Sequence, residues 1–207
     1  LTADVGGLRD ALRQNHGELL AARGQAEQAE QRIRALEQEL AQVSSLVRED
    51  QLTGALNRRG MDEAFSRELA RADRLGEPLS IGLLDIDHFK KLNDGLGHQA
   101  GDQALRHLAR VTRDLLRPTD TLARYGGEEF LILLPNTDIT EAERILQRIQ
   151  RELTRQFFMH DNERVLITFS AGVAQRRDGE AEAELLARAD QAMYAAKSHG
   201  RNRVERG

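Results

Sequence analysis

The feature that most constrains the fold of this chain is a heptad repeat of apolar residues through its first fifty positions. The a positions are Val5, Leu12, Leu19, Ala26, Ile33, Leu40 and Val47, and the d positions are Leu8, Asn15, Ala22, Ala29, Leu36, Val43 and Asp50. Such a seam predicts a parallel coiled coil over 1–49, because a straight helix drifts off a strict seven-residue repeat. A single helix lying on a domain, or a second register through Leu20 and Leu46, remains open.

Composition excludes several classes of function. The chain has no cysteine, so disulfides, zinc–thiolate sites, iron–sulfur clusters and thiol nucleophiles are ruled out. A net charge of −4 argues against a broad nucleic-acid-binding surface. No apolar run approaches the ~20 residues of a bilayer span, so we expect a cytoplasmic chain without membrane contact. It begins with Leu1 rather than methionine, and we expect it to be a piece of a longer protein.

From residue 50 to residue 207 the pattern alternates between helix and strand, which predicts one α+β domain. Predicted helices cover Arg59–Leu75, Gln99–Leu116, a segment from the capping box Thr140/Glu143 to Phe157, and Glu182–Ser198. Predicted strands cover Leu79–Asp87, Thr121–Tyr125, Glu128–Leu134, Val165–Ala174 and Asn202–Glu205. The pair Gly126-Gly127 predicts a two-residue hairpin turn with positive φ angles. This order favours an α+β sandwich over a doubly wound sheet.

Two pairs of acidic residues are candidates for a metal site. Asp85 and Asp87 lie at the carboxyl end of an apolar strand, where alternation puts both on one face. Glu128 and Glu129 are adjacent at the start of another apolar strand, where like charges are unfavourable unless a cation binds. Mg²⁺ is commonly held by one or two carboxylates plus substrate phosphates. Solvated acids at a turn are the alternative.

Two further groups suit a nucleotide. Asn93 and Asp102 flank a glycine-rich stretch, and a carboxylate accepts the paired N–H donors that guanine presents and adenine lacks. An ordinary polar loop is the alternative there. Lys197 and Arg201 form a pair of cations suited to a polyphosphate, although cations at a helix end also complement its dipole.

Taken together, these motifs resemble those of the GGDEF-domain diguanylate cyclases of bacterial signalling, and the resemblance covers about residues 50 to 206. The signature is Gly126-Gly-Glu-Glu-Phe130, in its GGEEF form. Asp50-Gln-Leu-Thr53 is similar to the family's D-x-L-T motif. The central and C-terminal blocks match at Asp85-Ile-Asp-His-Phe-Lys90, Asn93-Asp94, Gly97-His98, Gly101-Asp102, Lys197 and Gly200-Arg-Asn202.

The resemblance implies a fold, a reaction and a set of site residues. The fold is a sandwich like the nucleotide-cyclase and polymerase palm, with a central, mostly antiparallel sheet of five strands. The reaction condenses two GTP into cyclic di-GMP with release of two pyrophosphates, in a homodimer formed through the coiled coil. The implied Mg²⁺ (or Mn²⁺) ligands are Asp85, Glu128, the backbone carbonyl of Ile86 and, for a second ion, Glu129. Glu128 would also help to deprotonate the attacking hydroxyl, while Asp87 receives no metal role.

The resemblance also implies where the substrate and product bind. Guanine would be recognised by Asn93 and Asp102, with His98 near the sugar, and the triphosphate by the backbone of Phe89 and Lys90 with Lys197 and Arg201. Arg117-Pro-Thr-Asp120 matches the family's R-x-x-D product-inhibition site, and Arg148 matches a further arginine of it. Arg117 could instead only cap a helix. A catalytically silent cyclic di-GMP receptor and a mere dimerisation module are the alternatives for the whole chain.

Overall fold

The computed structural model of this chain describes Arg23, Gln25, residues 28–34 and residues 48–207. The predicted coiled coil over 1–49 therefore lies almost entirely outside the described residues. Residues 28–34 are helical and exposed, with an ion pair of 3.2 Å between Arg34 and Glu30 one turn apart. Contacts divide the chain between Val47 and Arg48, and the second unit, Arg48–Gly207, is described by itself below.

Five helices and seven strands form in residues 48–207. The helices are α1 (Arg58–Leu75), α2 (Phe89–Leu96), α3 (His98–Leu115), α4 (Ile139–Arg155) and α5 (Glu182–Ser198). The strands are β1 (Leu79–Ile86), β2 (Thr121–Arg124), β3 (Glu129–Pro135), β4 (Phe158–His160), β5 (Glu163–Val165), β6 (Phe169–Gln175) and β7 (Val204–Arg206). None of these helices is long and apolar enough to cross a bilayer.

The main sheet has five strands in the order β2-β3-β1-β6-β7. Its first four strands pair antiparallel, and only β7 runs parallel to its neighbour β6. Strands β4 and β5 form a separate hairpin. The expected α+β sandwich with a mostly antiparallel sheet is therefore confirmed.

Strand β1 is buried along its whole length and alternates between two apolar layers. Leu79, Ile81 and Leu83 pack with residues of α1 and α5, while Leu84 and Ile86 pack with residues of α3 and α4. Asp85 continues the first of these layers at the carboxyl end of the strand, so that an acid is buried where apolar residues precede it. Burying both faces of the sheet stabilises it by roughly 25 cal/mol for each Å² of apolar area removed from water.

Three local predictions from the sequence are wrong. The glycine-rich stretch is not a loop: α2 covers Phe89–Leu96, and only Gly97, with φ of 84°, separates it from α3. Helix α4 is capped by Asp138, whose Oδ1 accepts from the N–H of Glu141 at 2.9 Å, rather than by a Thr140/Glu143 capping box. The predicted strand over Val165–Ala174 is divided, because its first residue ends β5 and β6 begins at Phe169.

The predicted two-residue turn at Gly126-Gly127 is also wrong. Strand β2 ends at Arg124 and β3 begins at Glu129, so four residues connect them. The N–H groups of Tyr125 and Gly126 both donate to the carbonyl of Glu129, at 2.9 and 3.3 Å. Neither glycine of the pair has a positive φ, since the longer connection does not need one.

Candidate active site

The carboxyl end of β1 carries a buried acid in contact with a lysine of α5. The Asp85 side chain is 8% exposed, and its Oδ1 lies 2.9 Å from the Lys197 Nζ. Burial raises the pKa of Asp85 above its usual value and Asp87 adds to the rise, while Lys197 opposes it. One lysine therefore compensates this carboxylate only in part.

Glu128 lies beside Asp85 in the turn between β2 and β3. Its backbone carbonyl accepts from the N–H of Ile86 at 3.4 Å, which joins the turn to the end of β1. Burial raises the pKa of Glu128, and the negative charge of Asp85 raises it further. The two carboxylates thus stand close enough to repel each other.

A cavity of about 180 Å³ opens over this acid pair. It is lined by Asp85, Ile86, Asp87, His88, Phe89, Lys90, Glu128, Lys197 and Arg201. Seven of the site residues predicted from the sequence, those for a metal ion and for the triphosphate, are therefore brought to one place. They come from the end of β1, the start of α2, the turn between β2 and β3, and the last turn of α5 with the turn that follows it.

These residues fit a divalent cation that is completed by a ligand. Among the described residues there is no group of three or more histidine, aspartate or glutamate side chains arranged to hold a metal ion by themselves. Asp85 and Glu128 nevertheless supply hard oxygen donors. Burial raises the pKa of both, Asp85 raises that of Glu128 further, and Asp87 raises that of Asp85. A cation held by two carboxylates plus phosphate oxygens would relieve that repulsion, as Mg²⁺ does in phosphate sites.

Glu129, the expected ligand of a second metal ion, is not among the residues that line the cavity. Its carboxylate lies against the backbone of the turn, where a Cβ on Gly126 would stand 2.4 Å from the Glu129 Oε2. That distance is far below a normal contact, so the first signature glycine makes room for an acid of its own motif.

Asp87 has a role that the sequence did not reveal. Its carboxylate accepts from the hydroxyls of Thr168 and Ser170, both at 2.7 Å, and from the N–H of Asn202 at 3.0 Å. Arg201 and Asn202 both adopt left-handed backbone angles in the turn after α5. Asp87 thus fastens the turn that carries Arg201 to the end of β1, and its oxygens are occupied by donors.

The turn with Glu128 is also tied to the D-x-L-T motif at the start of the domain. Arg124 donates to the carbonyl of Gly127 at 3.1 Å through Nε and contacts Asp50 at 3.2 Å. Asp50 also accepts from the N–H and the hydroxyl of Thr53, at 2.9 and 2.7 Å. Burial alone would raise the pKa of Asp50, but the Thr53 hydrogen bonds and Arg124 outweigh it and lower that pKa.

The predicted base-recognition residues lie on α2 and α3. The Asn93 Oδ1 is buried and has no hydrogen-bond partner within the described part of the chain. Asp102 lies near the start of α3, and His98 is the first residue of that helix and is exposed. None of the three lines the cavity over the acid pair.

The predicted product site lies beyond the end of α3. The Asp120 Oδ2 accepts from the N–H of Arg117 at 2.9 Å, whereas its Oδ1 is buried without a partner among the described residues. Burial raises the pKa of Asp120. A cavity of about 530 Å³ is lined by Arg117 and Asp120, but not by Arg148, which donates to the carbonyl of Leu115 at 2.7 Å.

The fold and the acid pair define a class of protein: an α+β domain that gathers acids and cations at one end of its sheet. The family described as "Diguanylate cyclase, GGDEF domain" matches residues 47–203. This chain therefore belongs to the GGDEF family, and the family predicted from the sequence is confirmed.

Relatives cover most of this chain. The diguanylate cyclase DgcP of Pseudomonas aeruginosa is 39% identical over 189 residues, which is 91% of this chain and 28% of DgcP. The response regulator PleD of Caulobacter vibrioides is 42% identical over 158 residues, 75% of this chain and 35% of PleD. The chain thus spans about a third or less of the length of these curated relatives.

Solved structures extend the similarity beyond the globular domain. The coiled coil and GGDEF domain of DgcB from Caulobacter crescentus, in complex with c-di-GMP, superposes with a TM-score of 0.75 at 36% identity. That match covers 91% of this chain and 99% of the DgcB chain. The diguanylate cyclase SiaD of Pseudomonas aeruginosa, in complex with its activator SiaC, matches with a TM-score of 0.75 at 30% identity over all of this chain and 80% of SiaD.

Proposed function

We propose that this chain is the catalytic part of a diguanylate cyclase, which condenses two GTP into cyclic di-GMP and releases two pyrophosphates. The observation that carries this proposal is the acid pair Asp85 and Glu128, which shares one cavity with Lys197 and Arg201. Acids for a metal ion and cations for a polyphosphate are the parts that phosphoryl transfer requires.

Each group has a distinct task in the proposed reaction. Asp85, Glu128 and the Ile86 carbonyl would hold Mg²⁺, with Glu129 contributing to a second ion. When bound, the metal neutralises charge on the α-phosphate. Lys197 and Arg201 bind the triphosphate, and Glu128 takes the proton of the 3′-hydroxyl. That hydroxyl attacks the α-phosphorus of the other GTP, and the bond to the departing pyrophosphate breaks.

The proposed enzyme works as a homodimer. The product has two-fold symmetry and one domain holds one GTP, so two domains must face each other. A parallel coiled coil over 1–49 would raise the effective concentration of the second domain. We expect Leu36→Asp, at a d position, to lower the rate at low protein concentration with partial recovery at high concentration, whereas Gln38→Asp on the outer face should not. Equal rates for the two variants at every concentration would contradict this control by the coil.

The test of the main proposal is incubation of the chain with GTP and Mg²⁺, followed by nucleotide chromatography. We expect cyclic di-GMP and pyrophosphate, lost on chelation of the metal and restored by Mg²⁺ or Mn²⁺. A chain that binds cyclic di-GMP but makes none would be a receptor, and a chain that only dimerises would be an assembly module. Either result would overturn the proposal.

We also propose feedback by the product at Arg117, Asp120 and Arg148. The unpartnered Asp120 Oδ1 beside a large cavity supports it. The GGDEF domain of DgcB, 39% identical to this chain, was solved in complex with c-di-GMP.

The feedback is tested with two arginine variants. We expect Arg117→Ala to weaken cyclic di-GMP binding about ten- to a hundred-fold, which corresponds to the loss of one hydrogen bond to a charged group. Arg155→Ala is the matched control, because the Arg155 side chain is exposed. This variant should bind cyclic di-GMP with the affinity of the parent. Calorimetric titration with product and progress curves measure the effect, and equal affinities would show that Arg117 only ends a helix.

A further inference from the structure

Gly101 occupies a position where glycine is not required by the backbone. It lies near the start of α3, is buried, and does not have a positive φ. Alanine forms helices better than glycine, so a helix gains nothing from glycine here. A different cause must keep this position without a side chain.

The cause is the carboxamide of Asn93. A Cβ on Gly101 would stand 2.0 Å from the Asn93 Oδ1 and 3.0 Å from its Cγ, so that the amide could not keep its place. It would also stand 3.2 Å from the Phe89 Cζ, which requires a much smaller shift. Gly101 therefore fixes where the Asn93 amide can lie, against the backbone that leads directly into Asp102.

A second, independent observation concerns the Asn93 oxygen itself. It is buried and lacks a hydrogen-bond partner among the described residues. A buried acceptor without a donor is unfavourable, and a ligand N–H in that place would remove the cost. Asp102 directly follows Gly101 in α3 and supplies two carboxylate oxygens, so the two predicted base-recognition residues together offer three acceptors.

We propose that Gly101 is a positioning residue that determines the preference for guanine, by leaving room for the Asn93 oxygen beside Asp102. The inference rests on the proposed function only in taking a guanine nucleotide as the ligand. Guanine presents three N–H hydrogens, one on N1 and two on the 2-amino group, whereas hypoxanthine lacks the amino group and presents one. Three acceptors match guanine, and loss of the Asn93 oxygen removes part of that match.

The test is equilibrium binding of GDP and IDP to the full chain, because neither diphosphate can release pyrophosphate and turnover does not interfere. We expect Gly101→Ala to weaken GDP binding about ten-fold, as the loss of one hydrogen bond implies. IDP binding should change less than about three-fold, since IDP lacks the amino group. Gly95→Ala is the matched control: Gly95 lies in α2 without a positive φ, and a Cβ there meets nothing within 4 Å. It should bind both nucleotides like the parent.

A double-mutant cycle tests whether Gly101 acts through Asn93. In an Asn93→Ala background the added methyl group has no amide to displace, so Gly101→Ala should cost no further GDP affinity. The unfolding temperature of each variant should stay at or above that of its parent. If Gly101→Ala alone fails to fold, the double variant still tests the inference. Because it removes the clash, it should fold and bind GDP as Asn93→Ala does.

Three outcomes overturn the inference. The first is parent-like GDP binding by Gly101→Ala. The second is an equal loss of affinity for GDP and for IDP, which would indicate a general distortion through Phe89. The third is full additivity of the losses of GDP affinity caused by Gly101→Ala and Asn93→Ala. Failure of the proposed function looks different. A parent chain that prefers GDP to IDP but makes no cyclic di-GMP would contradict the cyclase and leave the role of Gly101 standing. A parent chain that does not distinguish the two nucleotides would contradict the role of Gly101.

Discussion

Helix α5 carries two cations, Arg188 in its second turn and Lys197 in its last, and the two acids that they contact have opposite pKa shifts. Near the start of the helix, Arg188 contacts Glu180 through Nε and a terminal nitrogen, both at 2.7 Å. Glu180 also accepts from the N–H of Arg177 at 2.9 Å. The hydrogen bond from Arg188 is the largest cause that holds the pKa of Glu180 below its usual value, even though the acid is buried. The backbone hydrogen bond from Arg177 contributes less.

At the other end of α5, Lys197 makes a single 2.9 Å contact with Asp85. Here burial dominates, and the pKa of Asp85 is raised despite the lysine. Glu128 stands alongside with its pKa also raised. One end of the helix thus satisfies its carboxylate, and the other end holds two acids that one lysine does not neutralise.

The difference indicates that Glu180 with Arg188 stabilises the fold, whereas Asp85 with Glu128 binds a ligand. A buried acid saturated by donors stabilises the native state, because breaking it would leave an uncompensated charge. A pair of under-compensated acids costs stability and is kept where a ligand or cation supplies what is missing. The Glu180 end is therefore interpreted as structural and the Asp85 end as the active site.

The largest effect is expected on activity, when the acid at each end of α5 is replaced by its amide. Glu128→Gln keeps the shape of the side chain but removes a charge from the metal site, so cyclic di-GMP production should fall about a hundred-fold or more. Glu180→Gln should leave the rate per folded protomer near the parent value. Product chromatography measures both, and thermal unfolding of Glu128→Gln should stay near the parent. A Glu128→Gln rate of about a tenth of the parent or higher would contradict the assignment.

The next effect, on GTP binding, is expected from the two cations themselves. Lys197→Met removes a cation from the cavity and should raise the KM for GTP about ten- to a hundred-fold, the worth of charged hydrogen bonds to phosphate. Arg188→Met should not change the KM of the folded protein, since within residues 48–207 Arg188 donates to Glu180 and to the carbonyls of Gln175 and Gly207, away from the cavity over the acid pair. Steady-state kinetics decides this, and equal changes in KM would erase the distinction between the two ends.

The same two variants should reverse their order when stability is measured. Arg188→Met leaves Glu180, which is 7% exposed, without its partner, so the free energy of unfolding should fall by about 3 kcal/mol. Lys197→Met should cost no more than about 1 kcal/mol, because the Lys197 side chain is 31% exposed and a partly solvated ion pair contributes little to stability. Urea unfolding measures both losses, provided that the variants and the parent have equal m-values. A larger loss for Lys197→Met would show that the Asp85 pair is the structural one.

The smallest effect is a pH dependence. The pKa of Glu180 lies below its usual 4.5 in the folded state, so its contribution to stability is complete above pH 4.5. It is lost as the pH falls through the lower, folded pKa. The stability gap between the parent and Glu180→Gln should therefore be constant near neutral pH and should narrow in acid. Urea midpoints measured from pH 7 down to about 3 would test this, and a gap that widens in acid would contradict the lowered pKa.

Much of the candidate site could be predicted from the sequence because its residues stand at the ends of recognisable elements. The apolar alternation of β1 placed Asp85 where the strand leaves the core, and this position depends only on the two-residue period of a strand. Lys197 could be placed in the last turn of a helix for a similar reason. The family motifs, rather than any local pattern, predicted that these residues meet Glu128 in one cavity.

Other features depended on contacts between distant parts of the chain. No pattern in the sequence distinguishes Glu180 or Arg188, which meet where α5 packs against the end of β6. The family resemblance gives Asp87 no metal role, and its actual role depends on the donors that Thr168, Ser170 and the turn at Asn202 supply. No periodicity in the sequence can reveal partners that are 81 to 115 positions away.

The sequence by itself therefore determined the family, the class of fold and the identity of the acids and cations, since these follow from residue types at fixed spacings. Tertiary structure alone decided what the glycines are for. Neither Gly126 nor Gly101 has a positive φ, and a Cβ would stand 2.4 Å from the Glu129 Oε2 at Gly126 and 2.0 Å from the Asn93 Oδ1 at Gly101. Glycine in a sequence reports freedom of the backbone, whereas close approach by another side chain exists only once the chain has folded.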